Sequence, residues 1–121
     1  MTTRNSTPIN QPAGADLRTK EYAFGKLVGG LAVACSALGE RADFLIGNAP
    51  NTGEATDLYT NKICKAKIGA APVALNAELT PDATGFAVTA VLGNVVRCKA
   101  MSAGAIGETI RVLWVDAYVK P

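Results

Sequence analysis

Asp43-Phe44-Leu45-Ile46-Gly47-Asn48-Ala49-Pro50-Asn51-Thr52-Gly53-Glu54 decides how this chain folds. A short apolar run, Phe44 to Ile46, breaks into a turn of Gly47, Asn48, Pro50, Asn51 and Gly53. Glycine and asparagine tolerate positive φ, and proline fixes its own φ while removing a donor, so a strand stops here and the chain reverses. The segment that follows, Leu58 to Ile68, reads as the longest uninterrupted strand of the first half. The rest of the chain repeats this alternation of short strand and glycine-rich break.

Upstream, residues 1–14 are rich in Thr, Asn, Pro and Gln with little to bury, and Pro8 and Pro12 hold parts of them extended. They are expected to form an arm, flexible or ordered only against a neighbouring subunit, followed by one β domain over 15–121. Gly29-Gly30 between Gly25–Val28 and Leu31–Cys35 predicts a hairpin. A helix through Leu27, Leu31, Cys35 and Leu38 also fits, but two interior glycines would cost it about 2 kcal/mol. Downstream, Pro81-Asp82 followed by Gly85 marks a tight turn. Phe86 to Leu92 should leave that turn as a strand with Phe86, Val88, Ala90 and Leu92 on one face. In the strand Val95 to Met101, Val96, Cys98 and Ala100 should face inward while Arg97 and Lys99 face water. The last strand, Thr109 to Val119, is apolar on both faces and is expected at the centre of a sheet, covered on both sides. The fold class is all-β: a small β-barrel or tulip-like sandwich of short antiparallel strands with an extended N-terminal arm.

The 121 residues suffice for one modest core, yet only three Phe, three Tyr and one Trp supply bulk. A thin core of this kind predicts support from partner surfaces or oligomerisation. The net charge is only +2, and the densest basic group, Lys62, Lys65 and Lys67, alternates with Ile63, Cys64 and Ala66 like the wet face of a strand. Nucleic acid is therefore not an expected partner. The most apolar stretch, Leu27 to Leu38, is too short and too glycine-rich to span a bilayer, and no secretory signal is read at the N-terminus. The expectation is a soluble protein made in a reducing compartment, with Cys35, Cys64 and Cys98 as buried free thiols.

Catalysis finds little to work with. The chain contains no histidine, which removes the usual general base and every imidazole triad. The three cysteines sit among apolar neighbours, which favour the thiol over the thiolate. Glu54 and Asp57 are the closest carboxylate pair in the central stretch, and Glu54 reads as a turn-stabilising acceptor before it reads as half of an acid/base dyad. Asp82 and Glu78 could offer oxygen ligands to a metal but lack any loop consensus. Neither catalytic residues nor a cofactor nor a metal is expected.

The stretch Phe44 to Glu54, a strand followed by an Asn-x-Pro and Gly-Glu turn, resembles the signature of capsid cement proteins, the head decoration proteins of tailed bacteriophages. Asp16-Leu17, the Glu78–Val88 hairpin and the segment Val96 to Leu113 resemble corresponding family features, so the likeness runs from about Ala15 to Trp114. It implies a β-barrel or tulip-like sandwich on the outer surface of a phage head, made in the host cytoplasm and carried in the virion. There it would cement neighbouring major capsid subunits against the pressure of packaged DNA. The implied partners are the major capsid protein and further copies of the chain, with a trimer favoured over a dimer. Contact is expected from the arm, at Thr7, Pro8, Ile9 and Pro12, and from the central turn, at Phe44, Asn48, Pro50, Asn51, Glu54 and Tyr59, because loops and arms carry recognition on rigid β scaffolds. The alternative is a cytoplasmic β-barrel that binds a small ligand in an apolar pocket ringed by a few polar groups.

Overall fold

A computed structural model describes residues 9–121. Ten strands follow one another: β1 (Ile9–Pro12), β2 (Phe24–Val28), β3 (Leu31–Ala34), β4 (Phe44–Ile46), β5 (Ala55–Tyr59), β6 (Ile63–Lys67), β7 (Glu78–Pro81), β8 (Ala87–Thr89), β9 (Val95–Ala100) and β10 (Thr109–Val119). They form two antiparallel five-stranded sheets, ordered β1-β5-β4-β2-β3 and β6-β10-β9-β7-β8. The described residues contain no helix. The all-β sandwich read from the sequence is therefore present, but closure into a barrel is not. Each sheet curls until its outer strands meet at a single bridge, Ala13 with Ala32 in the first and Ile68 with Ala87 in the second.

Two apolar clusters fill the space. Phe24 and Leu45 of the first sheet pack with Cys64, Ala66, Leu79, Cys98 and Val112 of the second. A smaller cluster joins Phe44 and Ile46 to Ala13, Leu17, Ala23 and Ala32. Alternate residues of β4 thus enter different clusters, which is why all three are buried. Where the chain must turn sharply it uses glycine. Gly85 has φ +91°, and a Cβ there would lie 3.0 Å from the carbonyl oxygen of Cys35.

Several elements depart from the sequence reading. Leu58 to Ile68 is not one strand but two, β5 and β6, and they belong to different sheets. The apolar alternation lapses over Thr60-Asn61-Lys62, but the change of sheet itself has no local mark: Leu58 packs against the smaller cluster, whereas Cys64 and Ala66 enter the larger one. The boundary drawn at Gly14 also shifts. Ile9–Pro12 is the edge strand β1, paired with β5 in the register Ile9 with Leu58 and Pro12 with Ala55, and Ala13 is buried behind it. Residues 1–8 of the expected arm, Thr7 and Pro8 among them, lie outside the described residues.

β8 spans only Ala87–Thr89, and the inward positions are Ala87 and Ala90. Val88 is half-buried and Leu92 is 78% exposed, so the face proposed for Phe86, Val88, Ala90 and Leu92 does not form. Small residues hold the inner positions there. β10 lies inside its sheet between β6 and β9, but it is not covered along its length. Beyond Leu113 it loses β6 as a neighbour and its register to β9 slips between Trp114 and Tyr118, and Val119 ends 60% exposed. Within β9, Val96, Cys98 and Ala100 face inward as read, and Lys99 is exposed. Arg97 does not simply face water: it is half-buried, with its guanidinium 4.4 Å from the Trp114 ring centre.

Candidate docking surface

The central turn is held from within. Asn48 clamps it across seven to nine residues: its Nδ2 donates to the Ala55 carbonyl at 3.0 Å, and its Oδ1 accepts from the Asp57 N–H at 2.9 Å. Glu54 Oε1 accepts from the Asn51 N–H at 2.6 Å, the turn-stabilising role expected of it. Pro50 is buried, and its carbonyl accepts from the Leu17 N–H at 2.9 Å. Asn51 and Pro12 are exposed, whereas Phe44 is in the smaller cluster with 2% exposure. Tyr59 is half-buried against the larger cluster and lies so close over Gly47 that no Cβ fits beneath its ring. The structure thus brings Asn48, Pro50, Asn51 and Glu54 together in one turn and sets Phe44 beneath it.

The chemistry-bearing side chains are engaged in structure. Burial pushes the Cys35 thiol up to about 12 and the Cys64 thiol up to about 11, and it raises the Cys98 thiol as well. All three are free and buried, as read. Asp82 Oδ1 accepts from the N–H groups of Thr84 and Phe86 and from the Thr84 hydroxyl, which closes its own turn. Glu78 accepts from Lys120 Nζ and the Tyr118 hydroxyl; Lys120 first, then Tyr118, hold its carboxyl below the ordinary carboxylate value. Glu78 thus engages both carboxylate oxygens with protein donors, and Asp82 engages Oδ1.

A different picture holds where the two sheets meet. Tyr22 stands in the left-handed region, φ +65°, a conformation unfavourable for a bulky side chain. Its N–H donates to the Ile46 carbonyl at 2.7 Å, and its carbonyl accepts from the Lys67 N–H at 3.0 Å. One residue thereby ties β4 to β6. Beyond this tie the seam opens into a cavity of about 340 Å³, walled by Tyr22, Gly47, Tyr59, Ile63, Lys65 and Arg111. A second cavity of about 580 Å³ shares Tyr22, Lys65 and Arg111 with it and is lined also by Met101 and Thr109. Its walls mix cations and hydroxyls with apolar side chains, unlike the mainly apolar pocket that a small-ligand carrier needs.

The cations around this seam lack carboxylate partners. Among the described residues the ion pairs are Arg18 with Asp16, Lys26 with Glu40 and Lys120 with Glu78. Lys62, Lys65, Lys67 and Arg111 join none of them. The sequence reads the three lysines as a wet strand face in alternation with Ile63, Cys64 and Ala66; Cys64 and Ala66 are buried, but Ile63 is 52% exposed. The sequence did not indicate that β6 is an edge strand or that Arg111 pairs with Lys65 in register, because both depend on long-range pairing with β10.

No protein-family model matches the chain, and no curated protein sequence does. The backbone does have a counterpart among solved structures, the crystal structure of the N base of head fiber gp8.5 from bacteriophage phi29. The TM-score is 0.70 at 13% sequence identity, over 95% of this chain and 98% of that one. The chain shares the fold of a phage head-fiber base. The correspondence runs over nearly the whole of both chains.

Proposed function

We propose that this chain is a non-enzymatic structural protein of a phage head, which docks on the outer surface of the shell and cements neighbouring major capsid subunits. The observation that carries the reading is the whole-chain likeness to the phi29 head-fiber base. The side-chain chemistry supports it: raised thiol pKa values and carboxylates committed to turns suit a binding scaffold better than a reaction centre. Attachment is proposed to arise from many modest contacts repeated by the symmetry of the shell, with the chain acting as a trimer.

Purified heads lacking this protein, mixed with the recombinant chain and sedimented, test the reading. The expected result is saturable retention on heads and a higher temperature for DNA release from the decorated particle. Absence of retention overturns it. Light scattering of the free protein checks the trimer. A truncation that begins at Ile9 spares β1 and asks separately whether residues 1–8 add to attachment; weaker retention is expected.

A further inference from the structure

β6 is the outer strand of the second sheet, and its two sides differ. Trp114 N–H donates to the Lys62 carbonyl and Ile68 N–H to the Glu108 carbonyl, both at 2.8 Å, which sets the phase of pairing with β10. In an antiparallel ladder the bonded positions alternate. Cys64 and Ala66 therefore direct their backbone groups at β10, while Ile63, Lys65 and Lys67 direct theirs away from it. Lys67 already donates to Tyr22 on that outward side. The N–H and carbonyl of Ile63 and Lys65 have no such partner among the described residues, and they border the cavity between Tyr22 and Tyr59.

We propose that this outward edge of β6 takes up an extended, acidic segment of a partner protein as an added strand of the second sheet. Strand addition uses main-chain hydrogen bonds for affinity and side-chain pockets for choice of sequence. Here the main-chain groups are those of Ile63 and Lys65, and the aromatic walls Tyr22 and Tyr59 flank the strand. The charge selects the occupant. Lys65 and Lys67 alternate on one face of β6, with Arg111 beside Lys65 in register, and none of them carries a paired carboxylate, so they attract acidic side chains at alternate positions of an incoming strand. They also exclude the commonest wrong partner, since a second β6 would set lysine against lysine. The identity of the partner as a head protein rests on the proposed function; the acidic, extended character of its segment does not.

The full chain, labelled with nitrogen-15, can be titrated with an end-blocked octapeptide of alternating Glu and Val, with its Gln and Lys counterparts, and with single-stranded DNA. The expected result is binding of the acidic peptide at least about tenfold tighter than the Gln peptide, with slowed exchange of the Lys65 amide hydrogen. Lys65→Pro deletes the outward N–H without touching the β10 ladder, and Lys65→Glu reverses the charge while leaving the backbone intact. Each should weaken binding by about tenfold. Equal binding of the Glu and Gln peptides, or no binding at roughly millimolar peptide, overturns the proposal. DNA binding that leaves the Lys65 amide unprotected also overturns it, because that result describes a polyanion patch rather than a strand site. On heads, Lys65 variants that sediment like the unaltered protein defeat this site and leave the cementing role standing. Failure of the unaltered protein to sediment defeats that role, while the peptide result stands by itself.

Discussion

The central turn and the β6 edge hold the same kinds of groups, backbone amides and carbonyls beside charged or amide side chains, and dispose of them in opposite ways. In the turn, Asn48, Glu54 and the Pro50 carbonyl bond to their own chain, so the polar groups are consumed in fixing a conformation. Along β6, the backbone of Lys65 and the cations of Lys62, Lys65 and Arg111 find no protein partner among the described residues. An Asn-x-Pro-Asn-x-Gly turn draws attention because its residue types are unusual, yet those types are what a self-contained turn requires. An alternating lysine strand looks ordinary, and its significance comes from the neighbour it lacks.

The largest expected effect is on the turn side. Phe44→Ala removes a ring from the smaller cluster and should cost about 3–5 kcal/mol, read from urea unfolding. A loss below about 1 kcal/mol would mean that this cluster is not what holds the turn in place. Alkaline unfolding comes next and probes the inner side of β6. Cys64 and Cys35 are held neutral by burial, well above the ordinary value of 9.0. The unfolded chain ionises near that value while the folded chain does not, so the stability they contribute is whole below pH 9 and is lost as pH rises toward 11–12. A melting temperature that stays flat from pH 8 to 11 would contradict buried, neutral thiols.

Asn48→Ala breaks both clamp bonds at once and should cost about 1–3 kcal/mol, whereas Glu54→Ala removes one exposed acceptor and should cost about 0.5–1 kcal/mol. The smallest effect belongs to the edge. Lys65→Gln should change stability by less than about 0.5 kcal/mol. Hydrogen exchange completes the contrast: the Lys65 amide should exchange far faster than those of Cys64 and Ala66, one residue away on either side. Equal protection of the three would show that the outward edge is already covered.

How much of this was legible depends on the range of the interaction. Gly29-Gly30, Pro81-Asp82 with Gly85, and the alternation of Val96, Cys98 and Ala100 are local signals, and each reads correctly. The break between β5 and β6 falls on the polar run Thr60-Asn61-Lys62, but the change of sheet left no trace, because Leu58, Cys64 and Ala66 keep one parity while serving different clusters. β1 escaped notice because Ile9-Asn10-Gln11-Pro12 earns its place by pairing with β5 rather than by an apolar pattern. At β8 and just after it the inward positions fall to Ala87 and Ala90, so side-chain size misled the choice of face. Tyr22 was least legible of all: a tyrosine gives no sign of a positive φ, and the two bonds that impose it come from strands distant in sequence.

That one tyrosine also makes position 22 answer to two incompatible demands. Glycine or asparagine would relax the backbone there but leave the seam without its aromatic wall. A saturation library should therefore split: survival under heat enriches the small, left-handed-tolerant residues, while retention on a binding partner enriches tyrosine, so the ranking of variants would differ with the trait selected.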